Sequence, residues 1–204
     1  MSPEDSLAFQ RLFVALPVPP EVQLVIGRVQ ARLKRESPPG AMRWGRLGQF
    51  HVTLKFIGDF PSAQLPALRA ALAGACKAVE AIELVARGIG FFPSNRSPRV
   101  IWAGVGDKHQ ALIGLHRRIH EAVRPFAPAD PGERFAAHIT LGRIRPGRQV
   151  SMKRAFDRSG ALRDVEYGRW TTDRVELMRS ELSSDGARHA VVDTFRLYSK
   201  HDSI

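Results

Sequence analysis

The sequence predicts an α+β fold made of two related halves around one cleft. Three observations carry this. Short apolar runs alternate with stretches whose apolar residues recur at helical spacing, so strands and helices interleave. Two segments, His51-Val52-Thr53-Leu54 and His138-Ile139-Thr140-Leu141, repeat one pattern: His, a β-branched residue, Thr, Leu. Each follows a similar strand-helix unit at nearly the same distance, 40 positions from Arg11 to His51 and 39 from Arg99 to His138.

In chain order, Arg11 to Leu16 is a nearly continuous apolar run that ends at Pro17-Val18-Pro19-Pro20, the pattern of a strand buried on both faces. Glu21 to Arg35 carries Val22, Val25, Ile26, Val29 and Leu33 on one helical stripe, and Ser37-Pro38-Pro39-Gly40 stops it. Met42 to Trp44 reads as a short edge strand before the first His-x-Thr strand. A second helix is predicted from Pro61 to about Val79, with Leu65, Leu68, Leu72, Cys76 and Val79 inward. Ile82 to Phe92 reads as extended, with Gly88 and Gly90 suggesting a bulge. Val100 to Val105 is another apolar run, and a third helix spans about Lys108 to Val123. The second His-x-Thr strand follows a Pro-rich turn, and Ser151 to Arg158 is read as a short helix. Val175–Met178 and Val191–Leu197 are read as closing strands of a hairpin through Ser184-Asp185-Gly186. No linker separates independent domains, so the expected layout is a flexible N-terminus over 1–10, one bilobal domain over 11–197 and a tail over 198–204.

Composition narrows the partners. The chain has 204 residues, 31 Lys+Arg against 20 Asp+Glu and a net charge of +11, a balance that favours a polyanion, nucleic acid before membrane. Arg28, Arg35, Arg117 and Arg118 are candidates for an RNA-docking surface. One cysteine, Cys76, excludes an intrachain disulfide and a multi-cysteine zinc site and points to a reducing compartment. No apolar run reaches membrane-span length, and the first residues lack the features of a signal peptide, so a soluble cytoplasmic protein is expected.

On a strand, His51 and Thr53 share one face while Val52 and Leu54 share the other, and the second motif repeats this with His138 and Thr140 against Ile139 and Leu141. The apolar face packs on a core and leaves an imidazole and a hydroxyl on the open face. Two such imidazoles across a cleft supply a general base and a general acid near neutral pKa. Metal binding is the chemical rival. Neither strand offers a carboxylate or thiolate, and Arg143 repels a cation while attracting a phosphate. Strict alternation puts Arg143 on the core face unless a bulge at Gly142 re-aims it. Phe56 is the substrate-stacking candidate among Trp44, Phe50 and Phe56, rings that suit base stacking or core packing alike. His116 and His120 lie at i, i+4 but without a glutamate and with two arginines between them, the pattern of a solvated basic helix face. His109, His189 and His201 have no pattern around them.

With both motifs in hand, the chain resembles the 2H phosphoesterase superfamily and, within it, the RNA 2′,3′-cyclic phosphodiesterase family, formerly called 2′-5′ RNA ligase. The residues that carry the likeness are Arg11–Leu16, His51–Gly58, Arg99–Gly104, His138–Arg143 and Glu181–Arg188. The one departure is Ile57, where leucine is usual. The resemblance implies two antiparallel-sheet lobes with outer helices about a pseudo-twofold, no metal and no cofactor. It implies hydrolysis of RNA 2′,3′-cyclic phosphate ends to 2′-phosphomonoesters by a monomer. His51 is then the proton donor and His138 the proton acceptor, with Thr53, Thr140 and Arg143 on the phosphoryl oxygens. The rival readings are a non-catalytic RNA-binding module of the same fold and 2′-5′ ligation as the reverse reaction.

Overall fold

Five consecutive residues, Leu12 to Leu16, are buried on both faces of the first strand, β1 (Phe9–Pro17), and the sheet is arranged around it. The computed structural model describes residues 8–94, 96–127, 135–148, 164–183 and 186–198. After β1 come α1 (Pro20–Glu36), β2 (Met42–Trp44), β3 (His51–Pro61), α2 (Leu65–Cys76), β4 (Ile82–Phe92), β5 (Val100–Gly106), α3 (Ala111–Val123), β6 (His138–Ile144), β7 (Glu166–Thr172), β8 (Arg174–Ser183) and β9 (Gly186–Arg196).

The strands form one sheet in the order β7-β4-β5-β6-β3-β1-β8-β9, with β2 also on β6, and every pairing between them is antiparallel. The order is symmetric about its middle. One arm runs outward from β3 through β1 and β8 to β9, and the other from β6 through β5 and β4 to β7. The arms are joined by the pair Val52↔Ile139, both fully buried. The two expected lobes are therefore two arms of one continuous sheet, and the pseudo-twofold passes through the β3–β6 pair.

The helices cover the face of the sheet opposite the imidazoles. α1 follows β1 of the first arm yet packs on β7 of the second, where a Cβ on Gly168 would stand 3.0 Å from Val22. α3 connects β5 to β6 in the second arm yet packs on β3, and α2 bridges α3 and β9. Each repeat thus buries its helix on the other repeat's arm, and neither arm has a complete core alone.

Local chemistry moved several boundaries. The second helix begins at Leu65, after a 3₁₀ turn over Ser62–Gln64, because Pro66 is accepted only in a first turn. The third begins at Ala111 rather than Lys108. The Asp107 carboxylate accepts the backbone N–H groups of His109 (3.1 Å) and Ala111 (2.7 Å), while Gln110 takes a left-handed φ of 59°. Gly88 is the bulged residue of β4, with φ +70°. β7 was not foreseen: its buried residues, Tyr167, Trp170 and Thr172, break strict alternation at a register shift against β4. The hairpin of β8 and β9 is present. Its tip at 184–185, the segment Ser151–Arg158 and the tail from 199 lie outside the described residues.

Candidate active site

The antiparallel pair Val52↔Ile139 sets the site. Val52 and Ile139 face the core, so their neighbours on each strand, His51 and Thr53 on β3 and His138 and Thr140 on β6, share the opposite face. All four are half-buried. The sequence contributes the alternation; the β3–β6 pairing brings the two motifs together.

Both imidazoles are held in the same way. His51 Nδ1 is 2.9 Å from the Gln49 carbonyl oxygen, and His138 Nδ1 is 2.7 Å from that of Ala136. A carbonyl only accepts, so in each neutral ring Nδ1 carries the proton and Nε2 keeps its lone pair. Aromatic rings wall each one. Phe13 lies 4.9 Å from His51 between ring centroids, and Phe92 and Trp102 lie 4.9 and 6.1 Å from His138. The Trp102 ring occupies the space a Cβ on Gly90 would need, which explains glycine at the position directly opposite on β4.

Burial among these rings disfavours the charged forms. Desolvation lowers the His51 pKa to about 4 against a raising contribution from the Gln49 bond, with His189 and His138 lowering it further. The His138 pKa is lowered by desolvation first and by the Arg143 charge, opposed by the Ala136 bond. Both rings are neutral at pH 7 in the free protein.

Each motif strand carries a bulge at its leucine. On β3 the register against β1 skips Leu54, so Leu54 and Lys55 are both buried and Phe56 comes to lie opposite Phe13, on the imidazole face. The Phe13 and Phe56 rings are 5.9 Å apart and Phe56 is 64% exposed, which makes it an available stacking surface and no part of the core. On β6 the register against β5 skips Leu141, one residue before Gly142. Arg143 then lies opposite Val100, on the face of Trp102 and His138, and is exposed. Phe56 and Arg143 hold equivalent positions in the two arms, and this exchange of a ring for a cation is where the pseudo-symmetry breaks.

The structure adds a third imidazole. His189 on β9 lies 5.2 Å from the His51 ring, edge to face, and 5.0 Å from Phe13. Burial lowers its pKa, and its Nδ1 is buried without a hydrogen-bond partner among the described residues. Nothing local marked it in the sequence; only the β1–β8–β9 register brings it to the cleft. His116 stacks on Phe135 at 3.8 Å between ring centroids and belongs to the packing of α3. Arg28, Arg35, Arg117 and Arg118 are exposed on α1 and α3, across the sheet from the imidazoles. Among the described residues no three His, Cys, Asp or Glu side chains are placed to hold one metal ion, and no helix is long and apolar enough to cross a membrane.

The family model for LigT like phosphoesterases matches residues 16–102, which include the first motif. The chain is 29% identical over 92% of its length to a Methanothermobacter thermautotrophicus protein named RNA 2′,3′-cyclic phosphodiesterase, and covers 98% of it. Over this stretch and with this relative, the chain is similar to the LigT-like phosphoesterases. Two solved structures share its fold. TT0787 of Thermus thermophilus superposes with a TM-score of 0.75 at 27% identity, over 94% of this chain and all of that one. LigT of E. coli, in a structure complexed with phosphate, gives 0.67 at 25% identity, over 94% and 99%.

Proposed function

We propose that this protein hydrolyses RNA 2′,3′-cyclic phosphodiester ends to 2′-phosphomonoesters, with His51 and His138 as the acid–base pair. One observation carries the reading: two imidazoles in the same tautomer, each with the Nε2 lone pair available on one face, together with two threonine hydroxyls and the exposed Arg143, which has no ion pair among the described residues. The curated relative's name and the family match support it.

The chemistry follows from the groups present. His138 Nε2 takes a proton from water as the water oxygen bonds to phosphorus. The bond from phosphorus to the 3′ oxygen breaks, and His51 Nε2 delivers a proton to that oxygen. The 2′ bond stays, leaving a 2′-phosphomonoester. Charge builds on the phosphoryl oxygens as this happens, and Arg143 with the Thr53 and Thr140 hydroxyls is suited to receive it. His51 must enter the reaction protonated although burial keeps it neutral in the free protein. The substrate resolves this, since a phosphate anion beside the ring favours imidazolium. The Arg143 charge beside His138 favours its neutral ring, the form in which it can accept a proton.

The two proton transfers and the charge are all met by side chains, so the reaction needs no metal. Purified protein given an oligonucleotide ending in 2′,3′-cyclic phosphate, in excess EDTA, should convert it to the 2′-phosphate. Binding without turnover, with or without added metal, would leave a non-catalytic RNA-binding module instead.

A further inference from the structure

Arg43 and Arg143 stand directly opposite each other on β2 and β6. The flanking pair Met42↔Ile144 is buried on the helix face, so the two guanidinium groups are carried on the face of His138 and Thr140. Both arginines are exposed, and neither makes an ion pair or side-chain hydrogen bond among the described residues. Like charges directly opposite on adjacent strands are destabilising. No acidic residue on β2, β6 or the neighbouring β5 offsets them. The close approach is nevertheless built in. A Cβ on Gly142 would stand 2.8 Å from Met42 Cε and 3.1 Å from the Arg43 carbonyl oxygen, so glycine is what lets β2 lie against β6.

Such a pair suits an anion longer than one phosphate. The equivalent place in the first arm holds the exposed Phe56 ring, which offers nothing to a phosphate, so the charged exit from the cleft lies on the β6–β2 side.

Resting on the cyclic phosphodiesterase reading, we propose that Arg43 and Arg143 clamp the RNA backbone, Arg143 on the terminal cyclic phosphate and Arg43 on the phosphodiester immediately upstream. The substrate class is then an oligonucleotide end in preference to a mononucleotide, because a nucleoside cyclic phosphate has no upstream phosphate for Arg43.

The test compares a dinucleotide ending in 2′,3′-cyclic phosphate with a nucleoside 2′,3′-cyclic phosphate. Arg43→Gln should raise KM for the dinucleotide roughly tenfold with kcat kept. It should leave kcat/KM for the nucleoside within about twofold, and Arg43→Lys should recover part of the loss. Equal losses on both substrates would put Arg43 on the terminal phosphate, and no loss on either would remove it from the site; both overturn the clamp. If the wild-type protein hydrolyses neither substrate, the enzymatic reading falls and binding decides the clamp. For a short oligoribonucleotide with a 3′-phosphate, Arg43→Gln should then flatten the slope of log affinity against log salt by about 0.7, the value for one phosphate contact on a single strand. Lys77→Gln, at the end of α2, should keep the wild-type slope. A slope unchanged by Arg43→Gln would overturn the clamp.

Discussion

The side-chain amide of Gln30, on α1, donates to the carbonyl oxygen of Leu141, the bulged residue of the second motif strand, at 2.9 Å. Its second N–H reaches the Gly45 carbonyl at 2.8 Å. Gln30 is 5% exposed and ties the helix that covers the second arm to the bulge that turns Arg143 towards His138. Gln30→Leu keeps the bulk and removes both donors. The Leu141 carbonyl still accepts the Gly45 N–H at 2.8 Å, but the loss of two hydrogen bonds from a buried amide should cost about 1–3 kcal/mol. Urea denaturation should show that loss. Activity of the folded variant should fall as well, because the Leu141 bulge loses a tether. Full activity at reduced stability would mean that the bulge holds without Gln30.

His51→Ala and His138→Ala should each lower kcat by roughly 10²–10⁴-fold, since each removes one proton transfer. The double variant should lose far less than the product of the two, as groups acting in one displacement do. A substrate whose leaving oxygen needs no protonation should rescue His51→Ala and not His138→Ala. Rescue of the His138 variant would reverse the roles.

The pH profile follows from the buried rings. Catalysis needs His51 protonated and His138 neutral, and the fraction so arranged peaks between the two pKa values. In the free protein both are lowered from 6.5, His51 to about 4, so kcat/KM should be greatest below pH 6.5. The bound anion raises them, so the kcat profile should lie at higher pH than that of kcat/KM. A kcat/KM maximum above pH 7.5 would contradict the burial of the pair. An imidazolium at His189 opposes a proton on His51, so His189→Gln should raise the His51 pKa in an NMR titration.

Gly90→Ala should destabilise the fold by about 1–3 kcal/mol, the usual range for overpacking, because its Cβ runs into the Trp102 ring. Trp102 also walls His138, so the same change should move the His138 pKa. Thermal unfolding and an NMR titration of His138 read the two effects separately. A neutral result in both would show that the ring moves aside freely.

The sequence by itself determined the elements whose residues carry their own periodicity or repetition. The double-sided burial of β1, the helical stripe of α1 around Val22, Ile26 and Leu33, and the face shared by His51 and Thr53 all follow from local spacing. The repeated motif with its near-equal spacing announced two related halves for the same reason. Tertiary structure alone decided what depends on register. The bulges at Leu54 and Leu141 put Phe56 and Arg143 on the imidazole face against simple alternation, and a bulge is set by the partner strand rather than by the bulged one. His189 stands beside His51 through the β1–β8–β9 register, and Arg43 meets Arg143 because Gly142 admits β2. Gln30 reads as an ordinary polar helix residue until the crossing of α1 onto the second arm buries it. The physical reason is common to all four: local periodicity fixes which way a side chain points along its own strand or helix, whereas what it meets is fixed by long-range pairing that no short stretch of sequence contains.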